Sequence, residues 1–206
     1  MNITTSLSFA FFFMSLQICA QETIQVDDAP CGMEGSAKRS GDKTLNRFKN
    51  RYTFPRENEF DTRFNWDELQ KEEDDRKKFS TDNAAILRGY VYRIKAGSVE
   101  TCNCNSKDPT FQDMHIIITP DADNTTVQQQ VIIEVTPRLR LLMKSKGIDW
   151  SHEALKKLRG KKIEVQGWLF YDYRHGENSA KIKKTGKITR STAWEIHPVT
   201  KITVLK

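Results

Sequence analysis

From Asp82 onward, apolar and polar positions fall into short, regularly spaced runs with strand character. Ile86 to Lys95 (ILRGYVYRIK) is rich in β-branched and aromatic residues, with Gly89 where a bend or bulge would fit. His115 to Thr119 (HIIIT) and Val131 to Val135 (VIIEV) follow, separated by a polar stretch from Pro120 to Gln130. A helix comes next. Thr136 is placed to cap it, Pro137 sits at its first position, Leu139, Leu142 and Met143 recur at helical spacing, and Gly147 closes it. A second, short helix is predicted from Ser151 to Leu158, ahead of Gly160. Ile163 to Phe170 then alternates: Ile163, Val165, Gly167 and Leu169 face one way, and Glu164, Gln166, Trp168 and Phe170 the other. The last strand system runs from Thr192 to Ile196, breaks at Pro198 and resumes from Lys201 to Leu205. Three strands, a helix and two strands is the succession of an OB-type barrel. Residues 84–206 are therefore expected to be mainly β, a five-stranded barrel whose helix bridges strands three and four.

Residues 21–83 have another character and are expected to be an irregular or helical charged extension. Ser36 to Arg56 holds seven basic residues against Asp42, and Glu57 to Asp75 holds nine acidic residues against Arg63 and Lys71. The sparse apolar positions, among them Leu45, Phe48, Tyr52, Phe54, Phe60, Phe64, Trp66 and Leu69, cannot form a core alone, but they could dock on a neighbour. Short helices are expected at Lys43–Asn50 and Trp66–Lys78. The preferred reading is a solvated arm whose oppositely charged halves partly neutralise each other.

Candidate chemistry begins with the two isoleucine-rich strands. If they form a hairpin with its loop centred between Asn124 and Thr125, Ile116 faces Ile133, Ile117 faces Ile132 and His115 faces Glu134. One face then carries only Ile116, Ile118, Val131, Ile133 and Val135. The other carries His115, Ile117, Ile132 and Glu134, with Asp113 and Thr119. The outer face of strands two and three is the usual ligand surface of an OB-fold. The opposed imidazole and carboxyl are either a titratable functional pair or an ordinary cross-strand ion pair. Trp168 and Phe170 on the polar face of the fourth strand could stack on bases or sugar rings. The loop from Arg174 to Arg190, which includes Lys183 and Lys184, holds six basic residues against Glu177 and could contact phosphate. Trp194, Glu195 and His197 complete the set. A metal site from His115, Glu134, His175 and His197 suits imidazole and carboxylate chemistry, but nothing in the spacing demands one, and no metal or cofactor is expected. Nucleophile-elbow and phosphate-loop motifs are absent.

The first twenty residues carry no charge, and Leu7 to Ala20 (LSFAFFFMSLQICA) is almost wholly apolar. Fourteen residues are too few to span a bilayer, which takes about 20. Residues 1–20 read as a secretory signal cut before Gln21, with a lipid anchor on Cys19 as the lesser alternative. No later segment reads as membrane-spanning. The mature chain would be secreted or periplasmic and keep Cys31, Cys102 and Cys104. One disulfide from Cys31 to Cys102 or Cys104 would staple the extension to the barrel. The net charge of +6 permits an anionic partner without requiring one.

The segments CGMEG (Cys31–Gly35), LNRFKNRY (Leu45–Tyr52), VETCNCNSKD (Val99–Asp108), DMHIIITP (Asp113–Pro120), VIIEVTPR (Val131–Arg138), GWLFYDYRH (Gly167–His175) and TAWEIHPVTKI (Thr192–Ile202) together resemble a group of uncharacterised, OB-like secreted bacterial proteins. The resemblance implies architecture and carries no activity. The leading functional expectation is an exported, non-catalytic binding module. Its ligand, an anionic polymer, an oligosaccharide or an envelope protein, would contact His115, Glu134, Trp168, Arg174, Lys183, Lys184 and Trp194. The rivals are a metal-assisted hydrolase using His115, Glu134 and His197, and an envelope structural protein.

Overall fold

In the computed structural model, which describes residues 31–123, 126–182 and 187–206, the five apolar runs close into one barrel. The strands are β1 (Ala84–Ala96), β2 (Met114–Thr119), β3 (Val131–Val135), β4 (Lys162–Tyr171) and β5 (Trp194–Val204). Their order around the barrel is β1-β2-β3-β5-β4, with β4 returning to β1. All pairings are antiparallel except that of β3 with β5. Among the described residues the fold is mainly β, and the five-stranded OB-like barrel stands. The leader 1–20 with Cys19, the loop centre Asn124–Thr125, and Lys183 and Lys184 lie outside the described residues.

The hairpin register is the one read from the pattern: Ile116 pairs with Ile133, Ile117 with Ile132, and His115 with Glu134. Ile116, Ile118, Val131, Ile133 and Val135 are fully buried and join Leu87, Val91, Ile163, Val165, Leu169, Ile196 and Val199 in the core. Each such side chain contributes about 1.5–3 kcal/mol by leaving water. A one-residue slip would turn His115 and Glu134 inward, so this apolar set fixes which face they occupy.

Two details differ from expectation. The irregularity in β1 falls between Val91 and Arg93, not at Gly89. And β5 is not interrupted: it runs through Pro198, which lacks the N–H a regular ladder needs, because the register against β4 shifts there. Gly167 permits this. A Cβ at that position would lie 2.3 Å from the Pro198 carbonyl oxygen.

Helix α3 (Pro137–Ser145) starts with Thr136 Oγ1 accepting the Leu139 N–H, and buries Leu139, Leu142 and Met143. Helix α4 (His152–Lys156) starts at its Ser151 cap. For the extension, helix α1 spans Ser40–Lys49, close to the expected segment, but the second helix covers only Trp66–Gln70 (α2). Tertiary contacts stop it. Asp75 is drawn onto the start of β5, where its carboxylate accepts the Thr192 hydroxyl and its carbonyl accepts the Trp194 indole N–H. Nor is the extension simply a solvated arm. Phe64, Leu69 and Phe79 are buried, and the Phe79 ring meets Trp194 edge-on at 5.6 Å. Its charges do pair locally, as in Arg39–Asp42, Arg56–Glu59 and Arg76–Asp74, contacts of small energetic weight.

The staple is Cys31–Cys104, and Cys102 is left as a buried thiol. It anchors the extension over the β1–β2 loop. There Asn46 donates to the Glu34 carbonyl and Asn50 donates to the carbonyls of Met33 and Cys102. Among the described residues no helix is long and apolar enough to cross a membrane.

Candidate metal centre

The extension and the β1–β2 loop roof the outer face of β2, β3 and β5. Strand alternation that points Ile116, Ile133 and Ile196 into the core points His115, Glu134, Glu195 and His197 outward beneath this roof. The parallel pairing of Ile133 with Ile196 brings Glu134 alongside Glu195 and His197. Asp113, at the end of the β1–β2 loop, adds a further carboxylate. Room for the His115 ring comes from Gly97, where a Cβ would lie 3.1 Å from Nε2 and 2.9 Å from the Asp113 carbonyl oxygen.

Glu134 lies at the centre. Its Oε1 is 3.2 Å from His115 Nε2, and its Oε2 is 3.2 Å from His197 Nδ1. His197 Nδ1 is also 3.5 Å from Glu195 Oε2, and its Nε2 is 3.9 Å from Asp113 Oδ2. These are ion-pair distances without hydrogen-bond direction. Both imidazole nitrogens of His115 and His197, both oxygens of Asp113 and Oε2 of Glu134 are buried without a hydrogen-bond partner among the described residues. Asp113, Glu134 and His197 are at most 3% exposed. Native proteins rarely leave so many buried polar atoms unpaired in one place.

The surrounding charges are already engaged. Arg190 donates to Glu195 at 2.5 Å and to Asp172 at 3.2 Å, and Asp172 holds His175 Nδ1 at 2.5 Å. Lys49 donates to Glu100 at 2.5 Å. The ion-pair partners of Asp113 and Glu134 are imidazoles. Burial, reinforced by the neighbouring Glu195, pushes the Glu134 carboxyl well above its ordinary range. Burial pulls the His115 imidazole down. For Glu195 burial acts upward, but His197 and Arg190 outweigh it and bring the carboxyl down to about 2. Burial thus dominates at Glu134, whereas the neighbours of Glu195 outweigh it.

Asp113, Glu134 and His197 each present a donor atom, all within 4.8 Å of one another. His115 stands at the rim of this set. Two imidazoles and two carboxylates match the ligand preference of Zn²⁺ and its first-row neighbours. Of the four residues considered for a metal from the sequence, the structure gathers His115, Glu134 and His197. His175 is separate, its side chain half exposed and linked to the cluster, among the described residues, through Asp172, Arg190 and Glu195.

The other expected contact residues do not form an open ligand face. Trp168 is buried under the Arg51 guanidinium, 4.7 Å from its ring, and donates to the Thr53 carbonyl. Trp194 faces the opposite way, into the core against Phe79 and Tyr171. Glu134 is sealed by the roof. A polymer laid on the surface therefore meets none of these three, because the extension already occupies the place. Arg174 is exposed, lies 3.9 Å from Asp42 and lines a small crevice with Lys49 and Glu100. Cys102 takes no part in the disulfide.

Asp113 and Glu195, which the sequence pattern already includes in the candidate set, belong to the cluster, whereas Lys49, Glu100, Asp172 and Arg190 around them are not singled out from the sequence. Two sizeable cavities lie elsewhere. One of about 740 Å³ is lined by Phe111, Leu141, Ile148 and Trp150, and one of about 440 Å³ by Gln70, Gln129 and Lys181. Beside the cluster there is a crevice of about 20 Å³ between Lys49, Glu100, Phe170 and Arg174, room for roughly one water. No protein-family model matches the chain, and no curated protein matches it either.

Proposed function

We propose that this chain is an exported, non-catalytic binding module whose ligand is a divalent first-row transition ion, Zn²⁺ or a close neighbour. The ion is held on the outer face of the barrel by Asp113, Glu134 and His197, with His115 alongside. One observation carries this reading: the donors of these buried side chains converge while remaining without hydrogen-bond partners. A dication placed among them offsets the two carboxylates and satisfies the orphaned atoms together.

The closed surroundings favour retention of an ion over chemistry on a substrate, since catalytic sites keep an open coordination position. Metal-assisted hydrolysis with His115, Glu134 and His197 would need more access than a crevice of about 20 Å³. Export is supported by the uncharged apolar run at the start of the sequence and by the disulfide, which persists in oxidising compartments.

The test is metal analysis and calorimetric titration with Zn²⁺, Mn²⁺ and Co²⁺. The expected result is saturable binding that Glu134→Gln and His197→Gln each weaken by at least about tenfold, with unchanged circular dichroism. Wild-type protein that takes up none of the three ions overturns the reading.

A further inference from the structure

Asp113 has two carboxylate oxygens, and both are buried and unpartnered among the described residues. Its Oδ2 lies 3.9 Å from His197 Nε2, in the set that Asp113 forms with Glu134 and His197. Asp113 also belongs to a second convergent set, in which Glu100, Cys102 and Asp113 present donors within 4.8 Å of one another. Cys102 is the thiol the staple leaves over, 2% exposed, with its sulfur 3.5 Å from Glu100 Oε2. The turn Thr101–Asn103 places Glu100 and Cys102 side by side, and Cys104, with φ near +52°, redirects the chain so that its own sulfur reaches Cys31 instead.

We infer that the centre takes two ions, bridged by Asp113, with the second bound by Asp113, Glu100 and the Cys102 thiolate. This rests on the single-ion reading above and extends it. A bridging carboxylate sets two ions about 3.5–4 Å apart. Thiolate with carboxylate selects Zn²⁺ or Co²⁺ over Mg²⁺ and Ca²⁺, which prefer oxygen alone.

A cation already serves the second position. The Lys49 ammonium sits 2.5 Å from Glu100 and 5.5 Å from the centre of the Phe170 ring, on the wall of the small crevice. The second ion displaces it: the Cys102 S–H gives its proton to solvent, a metal–sulfur bond forms, and Lys49 leaves Glu100 for the crevice. No electron changes hands. Binding is therefore sequential, with the Asp113–Glu134–His197 position filled first and the thiolate position filled second and more weakly.

The experiment is a Co²⁺ titration of the full chain carrying Cys19→Ser, with the Cys31–Cys104 disulfide intact. Two equivalents are expected, the second accompanied by a thiolate-to-cobalt charge-transfer absorption in the near ultraviolet. Cys102→Ser should remove that band and the second equivalent while keeping the first, which also reports that the variant is folded. Lys49→Met keeps the thiol and should tighten the second step by at least about tenfold, since no charge-assisted hydrogen bond must then be broken. One equivalent with no thiolate band, in wild type and in Lys49→Met, overturns the two-ion inference and leaves the single-ion reading intact. No uptake at all overturns both.

Discussion

The two faces of the β2–β3 ribbon are both buried, yet by different means. Inward, Ile116, Ile118, Val131, Ile133 and Val135 fill the barrel, and nothing about them depends on the rest of the chain beyond its volume. Outward, His115 and Glu134 are covered by a segment from before the barrel, and both ring nitrogens of His115 and Oε2 of Glu134 are left without a hydrogen-bond partner among the described residues. Burial alone therefore says little about purpose. An apolar face gains by burial, whereas a polar face buried without partners costs stability unless something completes it.

The largest effect expected from disturbing this contrast is at the staple. Cys31–Cys104 closes a loop of 73 residues, for which chain entropy sets a contribution of about 4 kcal/mol. Cys31→Ser should lower the denaturant midpoint and, because the roof then loosens, weaken metal binding in the same sample. Loss of stability with unchanged affinity would detach the roof from the site.

Next is a pair of adjacent substitutions with opposite consequences. Ile133→Ala on the inner face should cost about 3 kcal/mol in urea unfolding, with metal affinity falling only through stability. Glu134→Gln, one residue on, should change the metal-free stability by less than about 1 kcal/mol, because the amide resembles the protonated carboxyl that burial favours. The same change should abolish stabilisation by metal. For the wild type, free Zn²⁺ at a hundred times its Kd should add about 2.7 kcal/mol, a rise of roughly 5–10 °C in Tm. Equal loss of metal-free stability at both positions would mean that the outer face is ordinary structure.

The smallest effect is at Asp75, another carboxyl that the extension buries. Burial lifts its pKa above the ordinary 3.8, so the folded chain holds this proton more tightly than the unfolded one. That contribution is full below the unfolded-state value and is lost as pH rises through the folded-state value. Asp75→Asn, which keeps an acceptor for the Thr192 hydroxyl, should raise Tm by a few degrees at pH 7, at roughly 2–4 °C per kcal/mol, and by nothing in acid. A pH-independent difference between the two proteins would refute this account.

Amino-acid pattern alone determined the barrel, the helix between its third and fourth strands, and the register opposing His115 to Glu134. All three follow from local rules: period-two alternation, a capped helix start, and a five-isoleucine/valine face that fits only one pairing. It also narrowed the staple to Cys31 with Cys102 or Cys104. What it could not settle was which sulfur closes the bridge, where α2 stops and what lies above the outer face. Lys49, Glu100 and Asp113 come from a helix end and a long loop whose meeting is written in no periodicity. Only tertiary packing joined them, through the parallel neighbours β3 and β5 and the covalent tether at Cys31. Alternation specifies which way a side chain points, but what it meets there depends on segments distant along the chain.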